Sequence, residues 1–207
     1  MRKKPILPKI LQSMSFSDVS VGDKPEQTRF AKESPVLRGD SLSFSECTFS
    51  DINFSELQID SLSFLDCVFE KCDFSGLHLE KAYFRRVEFH SCRLSGVQFE
   101  KTFLRDVAFS ECSMPYATFS ECTLTACVFD RCPMDELLLS ENTLSDVGFA
   151  HCSMLQSEIR STRLGNIDLS TCELDGIRAT PEAFRNATLS ASQCAIVCQL
   201  MGIRIVY

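Results

Sequence analysis

The chain has 207 residues, of which 24% are charged and 44% are hydrophobic, and its formal net charge is −7. This length can bury one sizeable core or two small ones. No apolar run approaches the ~18 residues of a membrane span, and the acidic balance argues against direct binding of nucleic acid. The sequence contains 12 cysteines without a secretion signal, which favours reduced thiols and a cytoplasmic location over a disulfide scaffold.

Residues 1–40 contain four of the seven prolines and a surplus of three positive charges. They begin with a basic stretch, but Pro5 and Pro8 interrupt the apolar residues that follow, so the sequence does not predict a signal peptide. The segment also lacks the five-residue pattern of the residues after it. We therefore predict an N-terminal cap and an irregular first coil, because the open edge of a repeat rod needs a polar cover.

From Phe44 to Leu174 an apolar residue recurs at every fifth position, 27 times without a change of phase. The positions two residues earlier form a second, mostly apolar series that contains ten of the 12 cysteines. Its polar exceptions are Thr102, Asn142, Ser157 and Thr162. A period of five fits neither a helix nor a simple strand. It fits a chain that buries two positions, turns a corner and repeats, so we predict an all-β solenoid over residues 41–178.

If four corners close one coil, residues 20 apart should stack on one another. One such column contains only phenylalanine: Phe49, Phe69, Phe89, Phe109, Phe129 and Phe149. Another contains only cysteine: Cys72, Cys92, Cys112, Cys132, Cys152 and Cys172. Because the columns differ in composition, we predict a four-sided solenoid of about seven 20-residue coils, each ~4.8 Å from the next.

Residues 179–207 predict a short C-terminal helix and a closing strand. Ser190 and Gln193 match a capping box, and Gly202 has the place of a C′ residue. The helix between them is apolar nearly all round, so we expect burial on more than one side. It either only plugs the last coil or also forms a two-fold dimer contact. The dimer contact would consist of Ile196, Val197, Leu200 and Met201. The last five residues, 203–207, predict the strand.

No residues predict catalysis, a cofactor or a metal site. Sulfurs in a straight column cannot surround a zinc ion tetrahedrally, and buried cysteine behaves as a small hydrophobic residue. His78, His90 and His151 point outward, and no two share a column. No phosphate-binding or hydrolase motif is present. We therefore expect no enzyme, and we disfavour a redox-responsive protein because the thiols point inward.

Charge is distributed unevenly along the rod, since residues 41–178 contain 22 acidic and 11 basic residues. The acidic residues favour the place two after the central apolar residue. These are Glu46, Asp51, Glu56, Asp66, Asp106, Glu111, Glu121, Glu136, Glu141 and Asp146. The 20-residue spacing predicts one acidic face from Glu46, Asp66, Asp106 and Asp146, interrupted by Arg86. A basic cluster lies in the middle of the chain: Lys71, Lys81, Arg85, Arg86, Arg93, Lys101 and Arg105.

The 27 positions in register resemble the pentapeptide-repeat family, whose consensus has Leu or Phe at the centre and a small residue two places before it. The resemblance covers about residues 40–178 and implies a right-handed quadrilateral β-helix. One long repeat domain followed by a short apolar helix is similar to the Qnr (quinolone-resistance) branch. That similarity implies a homodimer formed through the C-terminal helix. It also implies DNA mimicry toward DNA gyrase and topoisomerase IV, with protection from fluoroquinolones.

Three interpretations of the charged surface follow from the sequence. The acidic face binds a type II topoisomerase as a DNA mimic, or the rod is a scaffold that binds a different protein through a flat face, or the charges only keep the rod in solution. The repeats carry about one net charge per ~3 Å, compared with one per ~1.7 Å in duplex DNA. We expect a protein partner and neither nucleic acid nor a membrane.

Overall fold

The structure, a computed structural model, describes residues 2–204 and 206. The described chain winds into a solenoid of about eight parallel coils and ends in one short α-helix, α1 (Ala191–Leu200). Its strands are β1 (Gln12–Ser13), β2 (Thr28–Ala31), β3 (Arg38–Ser45), β4 (Thr48–Ser50), β5 (Gln58–Glu70), β6 (His78–Glu80), β7 (Tyr83–His90), β8 (Gln98–Glu100), β9 (Phe103–Ser110), β10 (Thr118–Ser120), β11 (Thr123–Thr125), β12 (Val128–Asp130), β13 (Leu138–Ser140), β14 (Thr143–Ser145), β15 (Gly148–Ala150), β16 (Glu158–Arg160) and β17 (Arg178–Ala179). Short 3₁₀ turns lie at Phe16–Asp18 and Pro181–Phe184.

Neighbouring coils pair in parallel with a step of 20 residues, as in Phe69 with Phe89 and Phe89 with Phe109. One sheet has the order β1-β2-β4-β5-β7-β9-β11-β14, with β3, β12 and β15 attached beside this path, and a second has the order β17-β16-β13-β10-β8-β6. A further side is joined by isolated bridges such as Asn53 with Asp73. The fold class predicted from the sequence is therefore confirmed.

The core consists of the two series that the sequence predicts to be buried. Every position of the central series between Phe44 and Leu174 is buried except Ile59 and Leu144, which are half-buried and pack against the core. Every position of the second series between Leu42 and Cys172 is buried. Consecutive rings in the phenylalanine column have centroids 4.6–4.9 Å apart and planes within 5–11° of parallel. This spacing agrees with hydrogen-bonded neighbouring strands.

The N-terminal residues add a coil to the seven or so predicted for the repeat region, so there are about eight coils in all. Gln12 pairs with Thr28, and Arg29 pairs with Thr48. These steps are shorter than 20 residues, and the five-residue phase therefore does not extend into this coil. Phe30 stacks on the phenylalanine column, and Phe16 covers it with a ring centroid 4.5 Å away. A large apolar side chain thus closes the N-terminal end of the core.

Helix α1 lies at the other end of the solenoid and begins and ends as predicted. Ser190 and Gln193 form a capping box. At the C-terminus the N–H of Gly202 donates to Gln199 O and that of Ile203 to Cys198 O, which is a Schellman motif. Residues 203, 204 and 206 of the predicted strand form no strand, and they follow the left-handed turn at Gly202 (φ 75°). Residues 205 and 207 lie outside the described residues.

The apolar helix is covered on one side only. Ile196, Val197 and Leu200 are half-buried and pack against the core, whereas Cys194 and Met201 are exposed. Burial on more than one side, as the sequence predicts, is thus not found in the single chain, because one coil end offers one apolar surface. Across the described residues, no helix is long and apolar enough to span a membrane.

Candidate protein-interaction surfaces

The acidic residues occupy the corners of the coils. Each lies two residues after a side chain of the central series. The chain turns there with a positive φ, which is between 53° and 58° for Glu46, Asp66, Asp106, Glu121 and Asp146. An L-residue in this left-handed conformation is uncommon, yet the corner recurs along the whole solenoid. The corner geometry places these side chains outside the core, in columns that run along the edges of the rod.

The predicted acidic face, here called the acidic column, consists of Glu46, Asp66, Asp106 and Asp146, and the structure does not leave it open. Asp146 is exposed, and Glu46 is half-buried and accepts a hydrogen bond from Gln27 Nε2 at 2.9 Å. Asp66 and Asp106 are only 4% and 6% exposed. The two central carboxylates are therefore inaccessible to a partner in this conformation.

Residues 2–6, here called the N-terminal strap, cover these two carboxylates. The backbone N–H of Lys3 donates to Asp106 Oδ1 at 2.7 Å, and that of Ile6 donates to Asp66 Oδ1 at 2.8 Å. Arg2 Nη2 forms an ion pair with Glu88 Oε1 at 2.8 Å. The sequence does not predict this strap. The positive surplus of the first 40 residues beside a strongly acidic repeat is consistent with the ion pair of Arg2, but it does not identify the two amide donors.

Carboxylates at other corners are exposed and form what we call the acidic belt: Glu111, Glu121, Glu136, Glu141 and Asp146. Arg131 lies 3.3 Å from Glu111, and Lys101 lies 3.7 Å from Glu121. Between residues 106 and 150 the chain has eight acidic residues and one arginine. Successive corners project from different edges, so the belt surrounds the rod and does not form one stripe.

A pair of exposed aromatic rings lies beside two arginines of the basic cluster. Tyr83 pairs with Phe103, and Arg85 pairs with Arg105, on adjacent strands β7 and β9. Tyr83 is 39% exposed and Phe103 is 54% exposed. We call these four residues the aromatic patch. The sequence held a signal for it, since the equivalent places in neighbouring coils are Ser63 and Thr123.

The cysteine column packs inside the rod and bonds to its backbone. Cys112 Sγ donates to Phe89 O, and Cys132 Sγ to Phe109 O, each at 3.5 Å. Burial raises the pKa of Cys127 to about 12, which disfavours a reactive thiolate. Over residues 2–204 and 206, no three His, Cys, Asp or Glu side chains are placed to hold a metal ion.

Three of the four polar exceptions of the second series, Thr102, Asn142 and Ser157, use the same hydrogen bond as the cysteines. Thr102 Oγ1 donates to Leu79 O at 2.8 Å, and Asn142 Nδ2 donates to Phe119 O at 2.8 Å. In each case the acceptor lies 23 residues earlier, as it does for Cys112. The second position therefore suits any small side chain that fills the space and donates one hydrogen bond.

The three histidines lie apart from one another. His78 contacts Glu100 at 3.1 Å, His90 contacts Glu88 at 3.2 Å, and His151 is exposed. The four residues predicted for the dimer contact also separate. Only Met201 is exposed, and Ile196, Val197 and Leu200 are half-buried.

Comparison with solved structures gives several matches at low identity. A trypsin-treated variant of QnrB1, described as a plasmid-mediated fluoroquinolone resistance protein, is 17% identical, with 96% of this chain and all of that chain covered and a TM-score of 0.47. The pentapeptide repeat protein Rfr23 from the cyanobacterium Cyanothece 51142 is 12% identical, with 59% and 91% covered and a TM-score of 0.42. The comparison with curated proteins finds no match.

In sequence, the family model described as a pentapeptide repeat region matches residues 62–139. This segment lies inside the solenoid and contains the middle part of both buried series. The same five-residue spacing continues on either side of it, from Phe44 to Leu174. Residues 62–139 are therefore a pentapeptide repeat region, within a longer run of coils built in the same way.

Proposed function

We propose that this chain is a non-enzymatic rod that binds a type II topoisomerase, DNA gyrase or topoisomerase IV, by imitating DNA. The observation that supports this proposal is the acidic belt, in which five exposed carboxylates surround the rod between Glu111 and Asp146. Glu136 and Glu141 form no ion pair within the described part of the chain. Such residues present net negative charge on a rigid surface of the kind that a DNA-binding groove attracts.

The charge density of the rod is compatible with this role. The repeat region carries 22 acidic and 11 basic residues, and seven 20-residue coils extend for roughly 33 Å. The rod thus has about half the linear charge density of duplex DNA. A basic groove would attract it over a distance of about one Debye length, which is ~8 Å at physiological ionic strength. Association should therefore be steered electrostatically and depend on salt.

The sequence resemblance to the Qnr branch supports the same choice of partner. It adds two further proposals, namely fluoroquinolone protection of the topoisomerase and a homodimer formed through helix α1. The exposed side of α1, with Cys194 and Met201, is available for such a contact. We also place the protein in the cytoplasm, where the buried thiols stay reduced and the topoisomerases act on DNA.

The test is a gyrase supercoiling assay with added protein, with and without a fluoroquinolone, over a salt series. Either inhibition of supercoiling or rescue from the drug at micromolar protein is expected, and the effect should fade as ionic strength rises. The variant Glu136→Gln/Glu141→Gln/Asp146→Asn should weaken the effect at least tenfold, because charge pairs in an interface are each worth a kcal/mol or more.

A matched control removes the same charge elsewhere. Asp51, Glu56 and Asp60 are exposed and lie in earlier coils, so Asp51→Asn/Glu56→Gln/Asp60→Asn changes net charge equally without altering the belt. Equal losses in the two triple variants would show a general effect of charge. An assay in which the wild-type protein has no effect at any salt concentration would exclude the topoisomerase proposal.

A second candidate function is a scaffold that binds another protein, and the aromatic patch favours it. Tyr83 and Phe103 are exposed side by side, with Arg85 and Arg105 beside them, and aromatic and arginine residues are enriched where proteins bind one another. Binding through this patch should depend little on salt. In the supercoiling assay, a Tyr83→Ser/Phe103→Ser variant should match the wild type if the belt contacts the topoisomerase. If the chain is instead a scaffold for another protein, neither the wild type nor this variant should change supercoiling.

A further inference from the structure

The strap crosses the coils in the direction opposite to the winding of the solenoid. Lys3 reaches Asp106, and Ile6 reaches Asp66, which is 40 residues earlier in the chain and therefore two coils away. Residues 2–6 form neither helix nor strand, and the residue before Pro5 is restricted to extended conformations. The strap is thus an extended segment held at two points along the acidic column.

The spacing of the two carboxylates matches an extended chain. Two coils at the interstrand distance span ~9.6 Å. Three residues of polyproline II or extended chain advance about 9–10 Å, so amides three residues apart reach Asp66 and Asp106 together. Both interactions use backbone N–H groups, which any residue except proline provides. The carboxylates therefore recognise the backbone of an extended segment and not its side chains.

The residues around these carboxylates are arranged to receive such a segment. Arg86 lies between them in the column, and its Nε donates to Asp66 Oδ1 at 2.6 Å. Glu88, two residues after Arg86, accepts a hydrogen bond from Arg2 Nη2. Ala108 and Ala126 are outward positions in the repeat, yet they are only 7% and 9% exposed. Small side chains at these places leave room for a backbone to lie close to the rod.

The strap itself is held by few contacts. Its polar contacts to the repeats are the two amide hydrogen bonds and the ion pair of Arg2. Arg2 Nη1 is buried and has no partner among the described residues. The side chains of Lys3, Lys4 and Ile6 are exposed and contribute little burial. Because the strap makes few contacts and one of its buried hydrogen-bond donors has no partner in the described part of the chain, a competing peptide can replace it.

We propose that Asp66, Arg86, Glu88 and Asp106, here called the strap site, are a binding site for an extended peptide. The peptide carries an arginine, an amide at the next residue for Asp106, and a second amide three residues further on for Asp66. The N-terminal strap occupies the site in cis and competes with any peptide supplied by another chain. This site is separate from the acidic belt, and the proposal does not rest on topoisomerase binding.

The experiment titrates an acetylated, fluorescein-labelled peptide with the sequence of residues 2–9 into the full chain and follows anisotropy. The variant Lys3→Pro/Ile6→Pro lacks both amide donors of the strap, and Lys4→Pro is its control, since the Lys4 amide makes no hydrogen bond among the described residues. The peptide should bind the double variant at least tenfold more tightly than the wild type, because a tethered strap competes at high effective concentration. Lys4→Pro should behave as the wild type.

Binding must also depend on the strap site and on the peptide backbone. Adding Asp66→Asn and Asp106→Asn to the double variant should weaken it at least tenfold, because the charge-assisted hydrogen bonds become neutral ones, and Asn suits these corners because it tolerates a positive φ. A peptide with proline in place of its second and fifth residues, which copy Lys3 and Ile6, should not bind any form of the protein. Equal affinity for both peptides, or equal affinity of the labelled peptide for wild-type and double-variant proteins that melt alike, would overturn the proposal. The proline peptide keeps the test valid if the double variant is unstable.

Discussion

The backbone N–H of Lys3 donates to the carboxylate of Asp106, 103 residues later in the chain. With the equivalent bond from Ile6 to Asp66, it divides the acidic surface of the rod into two parts. Asp66 and Asp106 of the acidic column are covered by the chain itself, whereas Glu111, Glu121, Glu136 and Glu141 of the acidic belt are exposed. Residues of the same type at equivalent corners therefore have different accessibility, and Asp66 and Asp106 are not available to a DNA-binding groove while the strap is in place.

Acidification should loosen the strap at Arg2. Partial burial acts to raise the pKa of Glu88, but hydrogen bonds from Arg2 and His90 outweigh it, and the pKa lies below its usual value. A carboxylate whose pKa is lowered by folding stabilises the folded state above its unfolded-state pKa, near 4.3. This contribution is lost as the pH falls through the lower folded-state value.

The measurement is an NMR titration of the Lys3 and Ile6 amides from pH 7 to pH 3. Their signals should move toward positions typical of a free peptide below about pH 4. A Glu88→Gln variant should already be shifted in that direction at pH 7 and should show a smaller change with pH. Identical titrations in the wild type and in Glu88→Gln would contradict the role assigned to Glu88.

A charge in the phenylalanine column should prevent folding. Phe89 lies between Phe69 and Phe109, with ring centroids 4.8 Å and 4.7 Å away, and is 1% exposed. Phe89→Asp buries an unpaired carboxylate there. The free-energy cost of this burial exceeds the whole free energy of unfolding of a typical domain. Phe89→Leu is the control and should cost about 1–3 kcal/mol. The measurement is thermal unfolding of both variants, followed by circular dichroism. A cooperative transition in Phe89→Asp would contradict the interpretation of the phenylalanine column as a dry core.

The sequence predicted the repeat coils well because their burial follows a single phase. Each buried position can be read from its number, and the 20-residue columns follow from four corners per coil. The first coil is irregular, and its strand pairing escaped prediction because the step from Gln12 to Thr28 is shorter than a repeat. The strap escaped it for a different reason. Its contacts use the backbone amides of Lys3 and Ile6, and a backbone donor leaves no residue pattern in a sequence.

Asn142 should be hard to replace by an apolar residue of similar size. Its Nδ2 donates to Phe119 O at 2.8 Å, and its Oδ1 accepts from the N–H of Cys122 at 2.9 Å. Asn142→Leu leaves both backbone groups buried and unpaired and should cost about 2–5 kcal/mol. Asn142→Cys should cost less, because Cys122 in the same column donates to Phe99 O at 3.3 Å. Thermal melts in which Leu is tolerated better than Cys would contradict the hydrogen-bonding explanation.

Helix α1 offers the last test, which concerns the proposed dimer. Leu200 packs against the core, so its replacement would disturb the fold as well as an interface. Met201 is 59% exposed and lies beside it. Met201→Glu should therefore leave the melting temperature within a few degrees of the wild type and convert dimers to monomers, because burying an unpaired charge in a dimer contact is unfavourable.

Gln199→Glu is the control, since Gln199 is an exposed polar residue of the same helix and the variant introduces the same charge. Sedimentation velocity of both variants and the wild type distinguishes the cases. Monomers in Met201→Glu and dimers in Gln199→Glu are expected if the exposed side of α1, which includes Met201, is the contact. Dimers in both variants would place the contact elsewhere on the rod. A monomeric wild type would mean that the exposed side of α1 is not a self-association surface.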